Sequence, residues 1–431
     1  MKDMNKSNIV LFIKTRVPLL QDDKLEPDMG LLYCATYVKN HCGCKVVYVD
    51  LSLDGEDVLQ YYFNKCDIYC FSTFTANYHI TLEIVKKIRQ ISNDAVVIAG
   101  GHHASALPYE VAKSFDYVIK GEGELAISEL ISNLLKGEMP GERIIIGKYI
   151  KDLDEIGWID YSLVQLERYT RRVNGRKSIS ILTSRGCPYN CTFCNSTLMR
   201  SYRNVRFRSA NDVVNEILFL NRKYGIDSFR IQDDIFSINR PRLKAISNAL
   251  EPFHFSFRCF ARVDNIDHEI LFDLKKMGVF HLSFGVESGS QRMLDLMNKG
   301  ITVENIKNSI RLSKQYGMKC RVFLIVGYPG ENLESLDETI QLIREIKPND
   351  ISVYPLLPYP GTPLFHNPKK YGITYIDKDF SKYYQIYGNK ESGYVFETSE
   401  MSLDKLHYYR DYLVAGISKV CPWAIDDEDN R

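Results

Sequence analysis

A chain of 431 residues is roughly two to three usual domains long, which excludes a single small binding module. Hydrophobic residues at 45% and charged residues at 25% exclude disordered and fibrous classes, and 55 Lys plus Arg against 54 Asp plus Glu give no global field that would draw in nucleic acid or an anionic membrane. No apolar run approaches the ~20 residues of a membrane span. Residues 9–13, followed by Lys14 and Arg16, read as a strand and not as a signal peptide. Eleven cysteines without a secretion signal imply a reducing, cytoplasmic setting, where thiols are metal ligands, catalysts or buried fillers.

From residue 8, short apolar runs alternate with helical stretches. Strands are expected at 9–13, 46–51, 68–74, 96–99 and 117–119, with helices at 30–39, 81–91 and 124–135. This spacing predicts βα units and a parallel sheet, whose ligands bind beyond the carboxyl ends of the strands. The loops there are 14–28, 73–78, 100–108 and 121–124. Residues 141–177 read as a connector that contains a short apolar run at 144–146. The alternation then restarts, with strands at 179–183, 228–231, 255–260, 281–285, 321–326 and 351–354. Helices at 210–224, 242–250, 268–277, 291–298, 303–316 and 333–346 separate them. Ser209 with Asp212 three residues on marks a helix start, and Gly225, Gly278 and Gly317 follow helix ends.

The expected fold class is α/β. A Rossmann-like (flavodoxin-like) parallel sheet over 1–140 precedes a connector over 141–177 and a partial (β/α)6 TIM-like barrel over 178–365. A Tyr-rich helical extension over 366–431 carries a helix at 403–420. Six βα units fall short of a closed eight-fold barrel, so the barrel is open, with its active site at the carboxyl ends of the strands.

After the first strand of the second domain, Cys187, Cys191 and Cys194 stand at C-x3-C-x2-C spacing in a segment broken by Gly186, Pro188 and Asn190. Iron–sulfur clusters take thiolate ligands and a cubane takes four, so three leave one iron open to a substrate or cosubstrate. A structural zinc needs four closed ligands, and no other Cys or His lies within 30 residues on either side. Three core-packing cysteines would sit in a regular element rather than in a loop rich in Gly, Pro and Asn.

The loop, with Phe193 before its last cysteine, resembles the hallmark of the radical S-adenosylmethionine (SAM) superfamily. That resemblance implies a [4Fe-4S] cluster on Cys187, Cys191 and Cys194 with SAM on its open iron. It also implies reductive cleavage of SAM to methionine and a 5'-deoxyadenosyl radical that abstracts hydrogen. Later segments agree with the family: Asp233 at the end of the second barrel strand, Arg262 at the third, Gly285 and Glu287 at the fourth, and Gly327 at the fifth. The implied SAM contacts are Phe193, Asp233, Arg262, Gly285, Glu287 and Gly327. Arg262 suits the carboxylate of SAM and Glu287 its ammonium or ribose, while the glycines serve turns or close approach to the nucleoside. The bland reading of each charged residue is a solvated loop or a structural ion pair. Cys259 adjoins Arg262 on the expected active face.

The N-terminal half resembles the cobalamin-binding (B12-binding) domain that precedes the barrel in one radical SAM subclass, on segments 27–33, 99–108 and 120–124. The implied corrin contacts are Thr73, Gly100, Gly101, His103, Ser105, Gly121 and Glu122. The lower-ligand pattern D-x-H-x-x-G is absent, because Asp50 is followed by Leu-Ser-Leu-Asp-Gly, and His102 replaces a proline of the family. The resemblance implies a cobalamin-dependent radical SAM enzyme that methylates an unactivated carbon of a small-molecule or lipid substrate, supplied by an external one-electron donor such as flavodoxin or ferredoxin. No nucleic acid or membrane span is expected. Radical rearrangement, cyclisation or oxidation without methyl transfer is the alternative within the family, and a non-catalytic cobalamin or redox sensor the alternative outside it.

Overall fold

In the computed structural model, which describes residues 8–17, 23–63, 65–196, 204–384 and 393–424, the first alternating stretch folds as six parallel strands. They are β1 (Ile9–Lys14), β2 (Lys45–Asp50), β3 (Ile68–Ser72), β4 (Val96–Gly100), β5 (Tyr117–Lys120) and β6 (Ile144–Ile146), in the order β2-β1-β3-β4-β5-β6. The order reverses between β1 and β3, the point at which open sheets of the flavodoxin-like type take ligands. Val10 to Ile13 and Val96 to Ala99 are buried throughout, as strands covered by helices on both faces must be. Those helices are α1 (Met29–His41), α2 (Tyr78–Ile91), α3 (Gly101–Ala106) and α4 (Glu124–Leu135). Asp28 caps α1 by accepting from Leu31 N at 2.9 Å.

The first unit continues to Thr170 and takes in Asp379–Tyr384. The apolar run at 144–146, expected within a connector, is the sixth strand, with Val118 paired to Ile144 and Ile119 to Ile145. Three isoleucines, two half-buried and one exposed, carry too short a period to be told from a loop; pairing with β5 makes them a strand.

The second unit comprises Arg171–Lys378 and the rest of the C-terminal residues. Its strands are β7 (Arg172–Val173), β8 (Arg176–Ile181), β9 (Ser184–Arg185), β10 (Arg206–Phe207), β11 (Ser228–Ile231), β12 (Ser256–Ala261), β13 (Val279–Glu287), β14 (Lys319–Val326) and β15 (Asp350–Pro355). Six of them run parallel in sequence order, β15-β14-β13-β12-β11-β8, and β7 adds an antiparallel edge. The intervening helices are α5 (Ala210–Tyr224), α6 (Arg240–Leu250), α7 (His268–Lys276), α8 (Gln291–Leu296), α9 (Val303–Gln315) and α10 (Leu333–Ile346). Ser209 caps α5 by accepting from Asp212 N, and Gly225 ends it in the left-handed conformation, as the sequence predicts.

Alternation along the strands separates two faces of this curled sheet. Phe229, Phe257, Leu282, Phe284, Val322 and Leu324 are wholly buried on the convex, helix-covered face. Arg230, Arg258, Phe260, Arg321 and Phe323 alternate with them on the concave face and stay half-buried. Cys259 falls on the convex face, contrary to the expectation that it shares the active face with Arg262. The period of two settles its direction, and burial pushes its thiol well above the ordinary range.

A hairpin of β16 (Ile373–Ile376) and β17 (Phe396–Thr398) and the helix α11 (Leu403–Val420) complete the unit. α11 packs on α10 closely enough that a Cβ on Gly416 would stand 2.2 Å from Ile340 Cδ1. No helix among the described residues is long and apolar enough to cross a membrane.

Candidate cofactor sites

The cysteine loop leaves the carboxyl end of β8 and is closed by the β9–β10 ladder, with Arg185 opposite Arg206 and Ser184 opposite Phe207. Asp233, wholly buried after β11, fixes the start of the loop. It accepts from Thr183 N (2.6 Å), Thr183 Oγ1 (2.5 Å) and Ser184 Oγ (2.6 Å). A carboxylate holding three short donors is a firm anchor for the start of the loop. Arg208 and Arg242 hold the same segment by donating to Leu182 O (2.9 Å) and Thr183 O (2.8 Å). Around Cys191, Thr192 N donates to Met297 O at 3.0 Å, the Thr192 and Tyr328 hydroxyls lie 2.7 Å apart, and Asn298 Nδ2 donates to Asn190 O at 2.8 Å.

None of Cys187, Cys191 and Cys194 is in a disulfide. Burial pushes Cys187 up to about 11, and the charges of Asp234, Cys194 and Cys191 add to the rise. Burial raises Cys191 too, against the opposing charges of Lys299 and Arg262. Among the described residues no three His, Cys, Asp or Glu side chains converge on a position for one metal ion. A cluster of several irons does not require that, because each thiolate binds a different iron.

Two ion pairs flank the loop at the ends of β12 and β13, one of them buried at both residues and the other joining a buried arginine to an exposed aspartate. Arg262 grips Asp264 with Nε to Oδ1 at 2.9 Å and Nη2 to Oδ2 at 3.0 Å, donates to Lys299 O at 2.9 Å, and stacks on the Tyr189 ring at 3.4 Å. Lys299 Nζ meets Glu287 Oε1 at 2.7 Å and lies 5.7 Å from the Phe193 ring centre. Glu287 carries φ +67, a left-handed backbone that a non-glycine residue rarely adopts, at the place where the β13–β14 register shifts.

Gly285 makes room for this pair, because a Cβ there would sit 2.5 Å from Glu287 Oε1 and 2.8 Å from Lys299 Nζ. Its lack of a side chain leaves room for the ion pair. At Gly327, with φ +90, the Cβ space belongs to Tyr394 and Leu406, so this glycine serves a packed turn. Glu331 accepts from Gly327 N at 2.5 Å, and burial pushes its carboxyl up to about 8.

The structure thus brings Cys187, Cys191, Phe193, Cys194, Arg262, Gly285 and Glu287 to neighbouring strand ends, whereas Asp233 and Gly327 hold backbone. Lys299 and Tyr189 were missed. Lys299 stands between Asn298 and Gly300, both with positive φ, and such a turn reads in sequence as solvated.

In the first unit the loops after β3 and β4 are bonded to one another. Thr73 Oγ1 donates to Gly100 O (2.8 Å) and accepts from Ala104 N (3.1 Å), and His103 N donates to Thr73 O (3.0 Å). Ser105 Oγ accepts from Gly121 N at 3.0 Å, and Glu122 Oε2 from Ile150 N at 3.2 Å. Gly101 has φ +92, and a Cβ there would meet Thr73 O at 2.8 Å, so Thr73 demands this glycine. Gly100 is the position that faces open space.

His103 is wholly buried between Tyr78 (ring centres 4.2 Å apart) and Phe380 (4.8 Å), with Nδ1 3.1 Å from Thr75 Oγ1 and Nε2 without a hydrogen-bond partner. Burial lowers its pKa to about 4, so it is neutral at pH 7. Ser52 occupies the place of the histidine in the D-x-H-x-x-G pattern, two residues after Asp50. Its Oγ donates to Asp50 Oδ1 at 2.5 Å, while Lys14 Nζ and Tyr169 OH hold Asp50 Oδ2 at 2.9 and 3.0 Å.

Residues 181–343 match the model of the radical SAM superfamily, and residues 19–131 that of the B12 binding domain. The chain therefore carries a radical SAM domain and a B12-binding domain. An uncharacterized methyltransferase of Pyrococcus horikoshii is 29% identical over 363 residues, covering 79% of this chain and 78% of that protein. Cytidylyl-2-hydroxyethylphosphonate methyltransferase of Streptomyces wedmorensis is 26% identical, covering 74% and 68%. The anaerobic magnesium-protoporphyrin IX monomethyl ester cyclase of Rubrivivax gelatinosus is 26% identical, covering 83% and 68%. The fold matches the radical SAM methyltransferase TsrM of Kitasatospora setae with a TM-score of 0.70 at 18% identity, over 94% of this chain and 82% of that one.

The cofactors of this radical SAM enzyme are a [4Fe-4S] cluster, SAM and cobalamin. The residues present fit them. Three thiols on one anchored loop are a cluster's donor set less one. At the carboxyl edge of the first sheet, Gly100 opens space beside a hydrogen-bonded loop pair, and the serine at the histidine position is tied to Asp50.

Proposed function

We propose that this radical SAM enzyme transfers a methyl group from SAM to an unactivated carbon of a small-molecule substrate, using cobalamin and an external one-electron donor. The observation that carries the reading is the pairing of a B12-binding domain with a radical SAM domain in one chain, shared over most of its length with proteins named as methyltransferases. When bound, the cluster supplies one electron to SAM and the cobalamin carries the methyl group.

The chain's own residues do the positioning. Cys187, Cys191 and Cys194 would hold the cluster as thiolates, and the positive charges of Lys299 and Arg262 favour that form at Cys191. Arg262, clamped on Asp264 and stacked on Tyr189, braces the loop beside the SAM site, and the Glu287–Lys299 pair forms its charged wall. Thr73, Gly100, Gly101, His103, Ser105, Gly121 and Glu122 would shape the corrin edge, with no histidine offered from the position of Ser52.

The test is anaerobic turnover of the reconstituted protein with methyl-labelled SAM, measuring both S-adenosylhomocysteine and 5'-deoxyadenosine by mass spectrometry. Loss of the methyl group leaves the former and radical cleavage the latter. Both products, the first only when cobalamin is present, support methyl transfer. 5'-Deoxyadenosine alone supports radical ring closure or oxidation, the reading favoured by the similarity to a protein named as a cyclase.

A further inference from the structure

TIM-type barrels fill their interiors with bulky branched residues, and this half-barrel does not. Its concave face carries Arg230 on β11, Arg258 on β12 and Arg321 on β14, all half-buried, with Arg171 at the approach to β7. Arg230 and Arg258 are register partners, Ser283 pairs with Arg321, and Arg321 pairs with Asp350. Serines steady two of the guanidinium groups: Arg258 Nη2 donates to Ser283 Oγ at 3.5 Å, and Arg321 Nε to Ser352 Oγ at 3.1 Å.

We propose that this face is a substrate subsite, in which Arg230, Arg258 and Arg321 bind the oxyanion, carboxylate or phosphate, of a small molecule with an aromatic or apolar body. Three observations carry it. First, like charges are gathered on one face of the sheet. After burial, the strongest influences on Arg258 are the repulsions of Arg321, Arg230 and Arg171, opposed by Asp350, and its pKa falls to about 9. Asp350 itself lies 3.3 Å from His281 Nε2. An oxyanion between the arginines would relieve this repulsion through directed, charge-assisted hydrogen bonds.

Second, a band of rings lies beside the charges. Phe260 and Phe323 are 6.1 Å apart, Phe323 and Tyr354 6.1 Å, and Arg230 and Arg321 sit over the Phe260 and Phe323 rings at 5.4 and 5.6 Å. Third, Arg262 follows the end of β12 four residues after Arg258, about 13 Å of extended chain. A molecule anchored by its anion at Arg258 would lie along the rings and present its other end at the strand ends where the cysteine loop emerges.

The identity of the bound molecule as a methyl acceptor rests on the function proposed above, whereas the anion site does not. The experiment is calorimetric titration of the anaerobically reconstituted full-length protein with phenyl phosphate, benzoate and the neutral isostere benzyl alcohol. It is repeated with Arg258→Gln and, separately, Arg321→Met, each checked for iron content and thermal melting. At least one anion should bind ten-fold or more tightly than benzyl alcohol, and either substitution should weaken it about ten-fold. Tighter phenyl phosphate assigns a phosphate substrate, and tighter benzoate a carboxylate. Anions no tighter than benzyl alcohol, or affinities unchanged in both folded variants, overturn the subsite. If one variant fails to fold, the other and the wild-type comparison with benzyl alcohol still decide. Anion binding without S-adenosylhomocysteine in the turnover assay would overturn methyl transfer and leave the subsite standing. Methyl transfer without anion binding would do the reverse.

Discussion

The β3 and β4 loops of the first sheet and the strand ends of the second are held by opposite electrostatics, although the first sheet keeps an ion pair of its own, Lys14 on Asp50, at the ends of β1 and β2. In the first unit the loops after β3 and β4 lock together through neutral groups: hydroxyls, backbone amides and a histidine kept uncharged by burial. In the second unit the strand ends carry full charges in pairs, buried Lys299 on buried Glu287 and buried Arg262 on exposed Asp264. A charge can be kept in a protein interior only with its partner and hydrogen bonds in place. The ends of β12 and β13 are therefore sensitive to loss of single side chains, and the loops after β3 and β4 to changes of backbone shape and pH.

The largest break in the comparison comes from the cysteine loop. Replacing Cys187, Cys191 and Cys194 together by Ala should abolish iron loading and SAM cleavage while hydroxocobalamin still binds the first unit, read by iron analysis and absorbance. A triple variant that keeps a full cluster would refute the ligand assignment.

Next is the buried pair. Lys299→Met leaves the Glu287 carboxylate without its partner and should cost about 3–5 kcal/mol of stability in denaturant unfolding. The double variant with Glu287→Gln should recover part of that loss, and a single variant as stable as wild type would show that the pair is dispensable.

His103 sharpens the contrast through pH. Its folded pKa, about 4, lies below the unfolded value near 6.5. The unfolded chain therefore takes up the proton first as pH falls, and stability declines between pH 6.5 and 4, by up to about 3 kcal/mol. His103→Phe should flatten that decline in thermal melts of the apoprotein; an unchanged slope would mean the proton goes elsewhere.

The smallest effects separate two adjacent glycines. Gly101→Ala forces a side chain against Thr73 at a positive φ and should cost about 1–3 kcal/mol, whereas Gly100→Ala should stay within about 0.5 kcal/mol. Gly100→Leu should weaken hydroxocobalamin binding without lowering the melting temperature, because its side chain enters open space and not the fold.

Much of the architecture was legible in the chain itself. The helices Ala210–Tyr224, Leu333–Ile346 and Leu403–Val420 end where the periodicity and caps put them. Apolar period and turn chemistry are local properties, and that is why they survive in a linear string. The parallel α/β class and the three-thiol loop follow from the same local signals. β6 did not emerge, because three isoleucines become a strand only when β5 supplies their hydrogen bonds.

What tertiary structure alone decided is which side chains share a partner. Arg262 and Glu287 look alike in sequence as ligand contacts. Only folding brings Lys299, 12 residues beyond Glu287, into its reach, and sets Asp264 and Tyr189 around Arg262. The same holds for Gly101 and Gly100, neighbours of one type whose difference is the position of Thr73. Charges and close contacts are pairwise and act across distant parts of the chain, so a sequence names the groups but only the packed fold determines which of them meet.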